Sequence, residues 1–369
     1  MATVDTSVKD YYLSRIPTAE EEERARFLQR DAIILDTCGS VRPNNAAIID
    51  DSIRILKQNH VNAMALTLVA EEDDTRGAMN MIMKWNKLIR QYSHDLVKVQ
   101  SADEIRQAKE DGRIGIWYQF QNGRPFDDDE GNVELFRDMG VTQSQLTYNT
   151  RTFLGDGGSE PENAGLSNLG RRVIEEMNRV GILIDLAHSG ERTRLQTIEH
   201  STKPVLMSHC ATYGVNGEQG NISDEILERA HEKGGVICIP PLSLSTDEHP
   251  TVSDMGAHIV YALEKMGPAG VGFATDFPKG RPLIYEAAHL DENGYLHIQH
   301  DGTSKARVSK WQGRGHLLRY PWYQYAEGIT TYTEFPNLVR ELVVRGLDDE
   351  TIRAVLGGNV LSLYEKVVG

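Results

Sequence analysis

Eight short runs of β-branched and apolar residues, separated by amphipathic segments of helical period, leave this 369-residue chain few folds to choose from. The runs are Ala32 to Asp36, Ala63 to Val69, Ile114 to Gln121, Gln143 to Tyr148, Ile182 to His188, Pro204 to His209, Gly235 to Pro240 and Val271 to Asp276. Alternation of this kind marks repeated βα units and a parallel sheet. Eight units predict closure, so the expected class is α/β, a (β/α)8 TIM barrel. Barrels with insertions reach this length as one unit, and residues 1–369 are read as a single domain.

Candidate helices between the runs include Asn44 to Gln58, Ala78 to Tyr92 and Asn168 to Arg179. Ser101, followed three residues later by Glu104, has the spacing of a capping box at the start of a helix over Ser101 to Lys109. Two regions break the rhythm. Residues 1–30 read as an acidic helical extension, helical from Ala19 to Arg30. Residues 278–327 form a polar, aromatic and Gly-rich insertion after the eighth strand, and long loops there usually cover the active site.

A formal charge of −15 leaves no basic stripe to displace counterions, so nucleic acid is excluded as a partner and a small-molecule substrate is expected. Cys38, Cys210 and Cys238 are an odd set, far apart, and do not form a disulfide framework. The first residues lack the apolar core of a signal peptide, and no run approaches the roughly 18 to 20 apolar residues of a membrane span. Cytoplasmic residence without membrane attachment is the expectation; homo-oligomerisation is left open.

In such a barrel the active site lies at the C-terminal ends of the strands. Cys38 follows the first run, while Gln121, Tyr148, His188, His209 and Asp276 end the third, fourth, fifth, sixth and eighth. A lone strand-end histidine is commonly structural. Two histidines and an aspartate converging on one mouth are a candidate set of metal ligands or acid/base groups. His258 lies in a helical segment and reads as a packing or capping residue. His289, His297, His300 and His316 fall in the insertion and read as solvated loop positions.

The stretches GLSNLGRRVIEEMNRVGILIDLAHSG, PVLMSHCATYGV, VGFATDF and FPNLVRELVVRGLDDETIRAVLGGNVLSLYEKV resemble the renal (membrane) dipeptidase family, peptidase family M19 of the amidohydrolase superfamily. The resemblance spans nearly the whole chain. It implies a hydrolase with a dinuclear zinc site, built from a His-x-Asp pair after strand 1, a bridging glutamate after strand 3 and single histidines after strands 5 and 6. His188 and His209 match the single histidines, and Asp276 matches the strand-8 aspartate. The His-x-Asp pair falls on Cys38, Gly39 and Ser40, and the bridging glutamate on Gln121.

A glutamine amide offers one neutral oxygen where a bridging carboxylate offers two anionic ones, so a pair of cations is not expected. The open readings are one divalent ion such as zinc, held by His188, His209 and Asp276 with Gln121 or Cys38 as further candidates, or no metal. Cys38 is thus a ligand, a nucleophile or a structural thiol. The resemblance also implies a substrate-holding histidine and arginine, which fall on Tyr148 and Gly220. Arg151, Arg124 or Arg281 are the alternatives for binding a substrate carboxylate. The expected catalytic set is Asp276, His188, His209 and Tyr148, with Gln121, Tyr148, Arg151 and Arg281 binding substrate.

The leading functional expectation is hydrolysis of an amide or other C–N bond in a small molecule with at most one metal, ordinary dipeptides being poor substrates. The alternatives are a metal-independent lyase, dehydratase or isomerase using the same acid/base groups, and a non-catalytic homologue.

Overall fold

The computed structural model describes residues 12–39, 46–69, 73–218, 220–242, 244, 249–277, 288–290, 296–298 and 325–369. Parallel strands β1 (Leu35–Gly39), β2 (Ala63–Val69), β3 (Leu96–Lys98), β4 (Ile114–Phe120), β5 (Val141–Gln145), β6 (Leu183–Asp185), β7 (Leu206–Met207), β8 (Val236–Ile239) and β9 (Val271–Phe273) build the sheet. Their order is β1-β2-β4-β5-β6-β7-β8-β9, with β3 added beside β4. Asp276 N donates to Cys38 O at 3.0 Å and Thr37 Oγ1 to Phe273 O at 3.3 Å, drawing the last strand onto the first. The fold is a (β/α)8 barrel.

The first strand spans Leu35 to Gly39 and so runs past the expected end at Asp36, which places Cys38 inside β1. The strands that carry Gln121, Tyr148, His188, His209 and Asp276 stop one to three residues before them. His188 and Asp276 have left-handed backbones, φ 61° and 46°, which cannot continue a ladder. Apolar patterning runs on into these turns, which is why it overstates the strands. β3 is too short for its pattern to stand out.

Helices α1 (Ala19–Asp31), α2 (Ala46–Gln58), α3 (Thr75–Gln91), α4 (Ala102–Glu110), α5 (Gly131–Asp138), α6 (Asn168–Val180), α7 (Glu191–His200), α8 (Asp224–Glu232) and α9 (Val252–Met266) alternate with the strands. After the insertion come α10 (Pro336–Val344), α11 (Asp349–Arg353) and α12 (Asn359–Val367). Thr18 and Glu21 form a full capping box on α1. On α4 only half of the expected box forms. Ser101 caps Glu104 N, but the Glu104 carboxylate takes Gln100 N at 2.6 Å. No helix among the described residues is long and apolar enough to cross a membrane. The insertion outside 288–290, 296–298 and 325–327 lies outside the described residues, as do Ser40, Arg281, His300 and His316.

Side chains alternate along each strand between the helices and the barrel lumen. On β4, Ile116, Tyr118 and Phe120 join the large core under the helices. Trp117 instead packs with Leu35, Ala63, Leu183, Leu206 and Val236, a plug covered by Tyr364 and Val367 of α12. Higher in the lumen the lining turns polar: Trp117 Nε1 donates to Gln143 Oε1 at 2.9 Å, and Gln143 Nε2 to Gln119 Oε1 at 2.7 Å. Near α12, Gly357 packs so closely on the start of β1 that a Cβ there would stand 2.8 Å from Leu35 N. An apolar base and a polar upper lumen leave the strand C-termini as the place where chemistry is feasible.

Candidate active site

Two buried aspartates organise the mouth. Asp36 of β1 accepts from Cys38 N and Thr275 N, each at 3.0 Å, and from the Thr275 and Tyr332 hydroxyls. Asp185 of β6 repeats the arrangement: it accepts from Ala187 N at 3.1 Å, Ser208 N at 3.0 Å and the Ser208 hydroxyl at 2.5 Å. Gln143 Nε2 adds a further bond at 3.0 Å. Each aspartate therefore ties its own strand end to a neighbouring one, and in each pair the hydroxyl residue directly precedes a candidate site residue. Asp36 joins the ends that carry Cys38 and Asp276, and Asp185 those that carry His188 and His209.

Hydrogen bonds fix the two imidazoles. His209, 8% exposed, donates from Nδ1 to Ser208 Oγ at 2.7 Å, because the Ser208 proton is already given to Asp185. His188 Nδ1 donates to Asn149 Oδ1 at 2.7 Å. Both rings thus turn their Nε2 atoms toward each other, 2.8 Å apart. Tyr148 stacks on His188 with centroids 4.0 Å apart. Gly158 N holds the His188 carbonyl at 2.6 Å, fixing the left-handed turn on which the ring stands.

Beside this pair is Cys38. Its thiol is 3.4 Å from Asp276 Oδ1, and Gln121 Nε2 and Gln119 Nε2 point at the sulfur from 3.2 and 3.7 Å. Burial, then the neighbouring Asp276 charge, push the thiol well above its ordinary range. Burial likewise raises the Asp276 carboxyl, against the opposing pull of His209 and the Cys38 hydrogen bond. Cys38, His209 and Asp276 each present a donor atom within 4.8 Å of the others'. His188 meets the group through His209, so the weaker sequence candidate, Cys38, replaces it in the tightest set.

The remaining candidates fare differently. Arg151 is exposed and its Nε is 2.5 Å from Asp156 Oδ1, so a substrate carboxylate would compete with that ion pair. Gly220 is left-handed and its carbonyl accepts from Arg194 at 3.1 Å. His258 is a buried structural residue of α9, bonded to Thr212 and Leu244. All three cysteines are free and buried.

Sequence reasoning passed over Asp36, Asp185, Ser208, Thr275 and Asn149. The signal was present for the two aspartates, since a carboxylate inside an apolar run such as ILIDLAH needs buried donors.

The model for the membrane dipeptidase family, peptidase family M19, matches residues 23–292. The chain belongs to the membrane dipeptidase family. Within it, Dipeptidase verJ of Clonostachys rogersoniana is 25% identical over 301 residues, covering 81% of this chain and 67% of that protein. Dipeptidase tcpJ of Claviceps purpurea is 22% identical, covering 79% and 60%. The chain thus spans three-fifths to two-thirds of the length of these relatives. The crystal structure of an amidohydrolase from Pseudomonas aeruginosa superposes with a TM-score of 0.79 at 32% identity, covering 94% of this chain and 99% of that one.

Proposed function

We propose that this chain hydrolyses an amide or other C–N bond in a small molecule, at a mouth formed by Asp276, His188, His209 and Tyr148. The observation that carries the reading is the meeting of a carboxyl and two oriented imidazoles at the C-terminal end of an M19 barrel. Asp276 takes a proton from the attacking water and returns it to the leaving nitrogen. A carboxyl raised by burial is suited to both steps, because its affinity for a proton is closer to the working pH. His188 and His209 line the mouth with Nε2 atoms able to accept from the attacking water, and Tyr148, stacked on His188, offers a hydroxyl to the substrate carbonyl.

The family's pair of zinc ions does not suit these residues. Gln121 turns its amide nitrogen toward Cys38, and an N–H donor cannot bridge two cations. Ordinary dipeptides should also be poor substrates, since Tyr148 and Gly220 stand at the expected histidine and arginine positions and Arg151 is engaged by Asp156.

The test is a panel of unmodified dipeptides beside N-acylated amino acids, lactams and small amides. Amide cleavage with dipeptide turnover far below a typical rate of about 10 per second is expected. Asp276→Asn should lower the active reaction by about 10² to 10⁴. Failure to cleave any C–N bond, or full activity of Asp276→Asn, would overturn the reading.

A further inference from the structure

We propose that the mouth takes a single divalent ion with a thiolate among its ligands, held by Cys38 Sγ, His209 Nε2 and one oxygen of Asp276, with His188 at the remaining position. The proposal rests on the reading of this mouth as the functional site, though not on the reaction assigned to it.

The donor set comes first. Ligands of a tetrahedral zinc, with bonds of about 2.0–2.3 Å, stand about 3.3–3.8 Å apart. Cys38 Sγ and Asp276 Oδ1 are 3.4 Å apart, and the three nearest donors lie within 4.8 Å of one another. The imidazole nitrogens, at 2.8 Å, need open by only about half an ångström to match that spacing. Thiolate and carboxylate together balance a charge of +2. Sulfur with imidazole selects zinc or cobalt over magnesium or calcium.

The surroundings of each donor point the same way. Ser208 and Asn149 hold the two Nδ1 atoms, so the Nε2 atoms, the nitrogens that rings held this way give to a metal, meet at the mouth 2.8 Å apart. Around Cys38, the Gln121 and Gln119 amides aim N–H groups at the sulfur. A neutral thiol is a weak acceptor, whereas a metal-bound thiolate is stabilised by such donors. Gln121, which removes the family's bridging carboxylate, thus has a positive role here as the sulfur's hydrogen-bond partner. Binding the ion releases the thiol proton to solvent.

The two stapled pairs supply the rigidity. Asp36 fixes the Cys38 and Asp276 ends and Asp185 the His188 and His209 ends, so the donors arrive as two preset halves.

Chelator-treated full-length protein titrated with Co²⁺ tests this. One equivalent per chain is expected, with a near-ultraviolet thiolate-to-cobalt charge-transfer band. Cys38→Ser should abolish the band and weaken binding by more than the about 10- to 100-fold that loss of an outer-sphere partner costs. Asp276→Asn should keep the band while binding more weakly, and Cys210→Ser should keep both. Two equivalents, one equivalent without the band, loss of the band in Cys210→Ser, or no saturable binding would each overturn the proposal. Should Cys38→Ser fail to fold, the wild-type band alone still decides. A band without hydrolysis overturns only the hydrolase reading; hydrolysis by protein that binds no Co²⁺ overturns only this one.

Discussion

His258 is held neutral from both sides. Thr212 N donates to its Nδ1 at 3.0 Å, and its Nε2 donates to Leu244 O at 2.7 Å, so a second proton would meet an N–H head-on. Burial accordingly lowers its pKa. As pH falls below about 6.5 the unfolded chain takes up a proton that the folded chain refuses, and stability is lost until the folded value is reached. His258→Gln should be less stable at neutral pH yet lose less on going from pH 7.5 to 5.5 (about two units of pH) than the parent does. Thermal midpoints at the two pH values measure this; equal losses would show that other groups carry the acid response. That His258 belongs to the core was legible, because it interrupts an apolar helical stripe. Its tautomer was not, since Thr212 and Leu244 come from segments distant in the chain.

Between strands, the paired aspartates separate stability from chemistry. Asp185 joins β6 to the end of β7 through charge-assisted bonds, whereas His209 points into the mouth. Asp185→Asn turns an amide N–H toward existing donors and should cost about 2–4 kcal/mol. His209→Asn should cost on the order of 1 kcal/mol while removing most turnover. Denaturant midpoints of the two variants check the order, and the reverse ranking would reject the staple. At this scale apolar periodicity located the eight strand cores, while the ends escaped it. The left-handed turns at His188 and Asp276 are set by contacts such as Gly158 N to His188 O, which no local pattern encodes. The candidate residues themselves were legible as polar groups closing apolar runs. Their grouping was not, and Cys38 displaced His188 from the tightest set because β1 runs farther than its pattern suggests.

For the molecule as a whole, the lumen grades from an apolar plug to a polar mouth, and Trp117 stands at the boundary. It packs in the plug and donates to Gln143. Trp117→Ala should lower stability by about 3–5 kcal/mol, through the cavity and the amide it strands. Chemical denaturation measures the loss; a cost under about 1 kcal/mol would mean that the plug collapses around the gap. The barrel closes where Asp276 N reaches Cys38 O, and this seam joins the two ends of the sheet. During synthesis at about 5–20 residues per second, β1 emerges early and waits on the order of ten seconds or more for β9. For that interval its outer edge is an unsatisfied template for any passing strand, and Cys38 is a thiol open to whatever oxidant or metal the ribosome's surroundings contain.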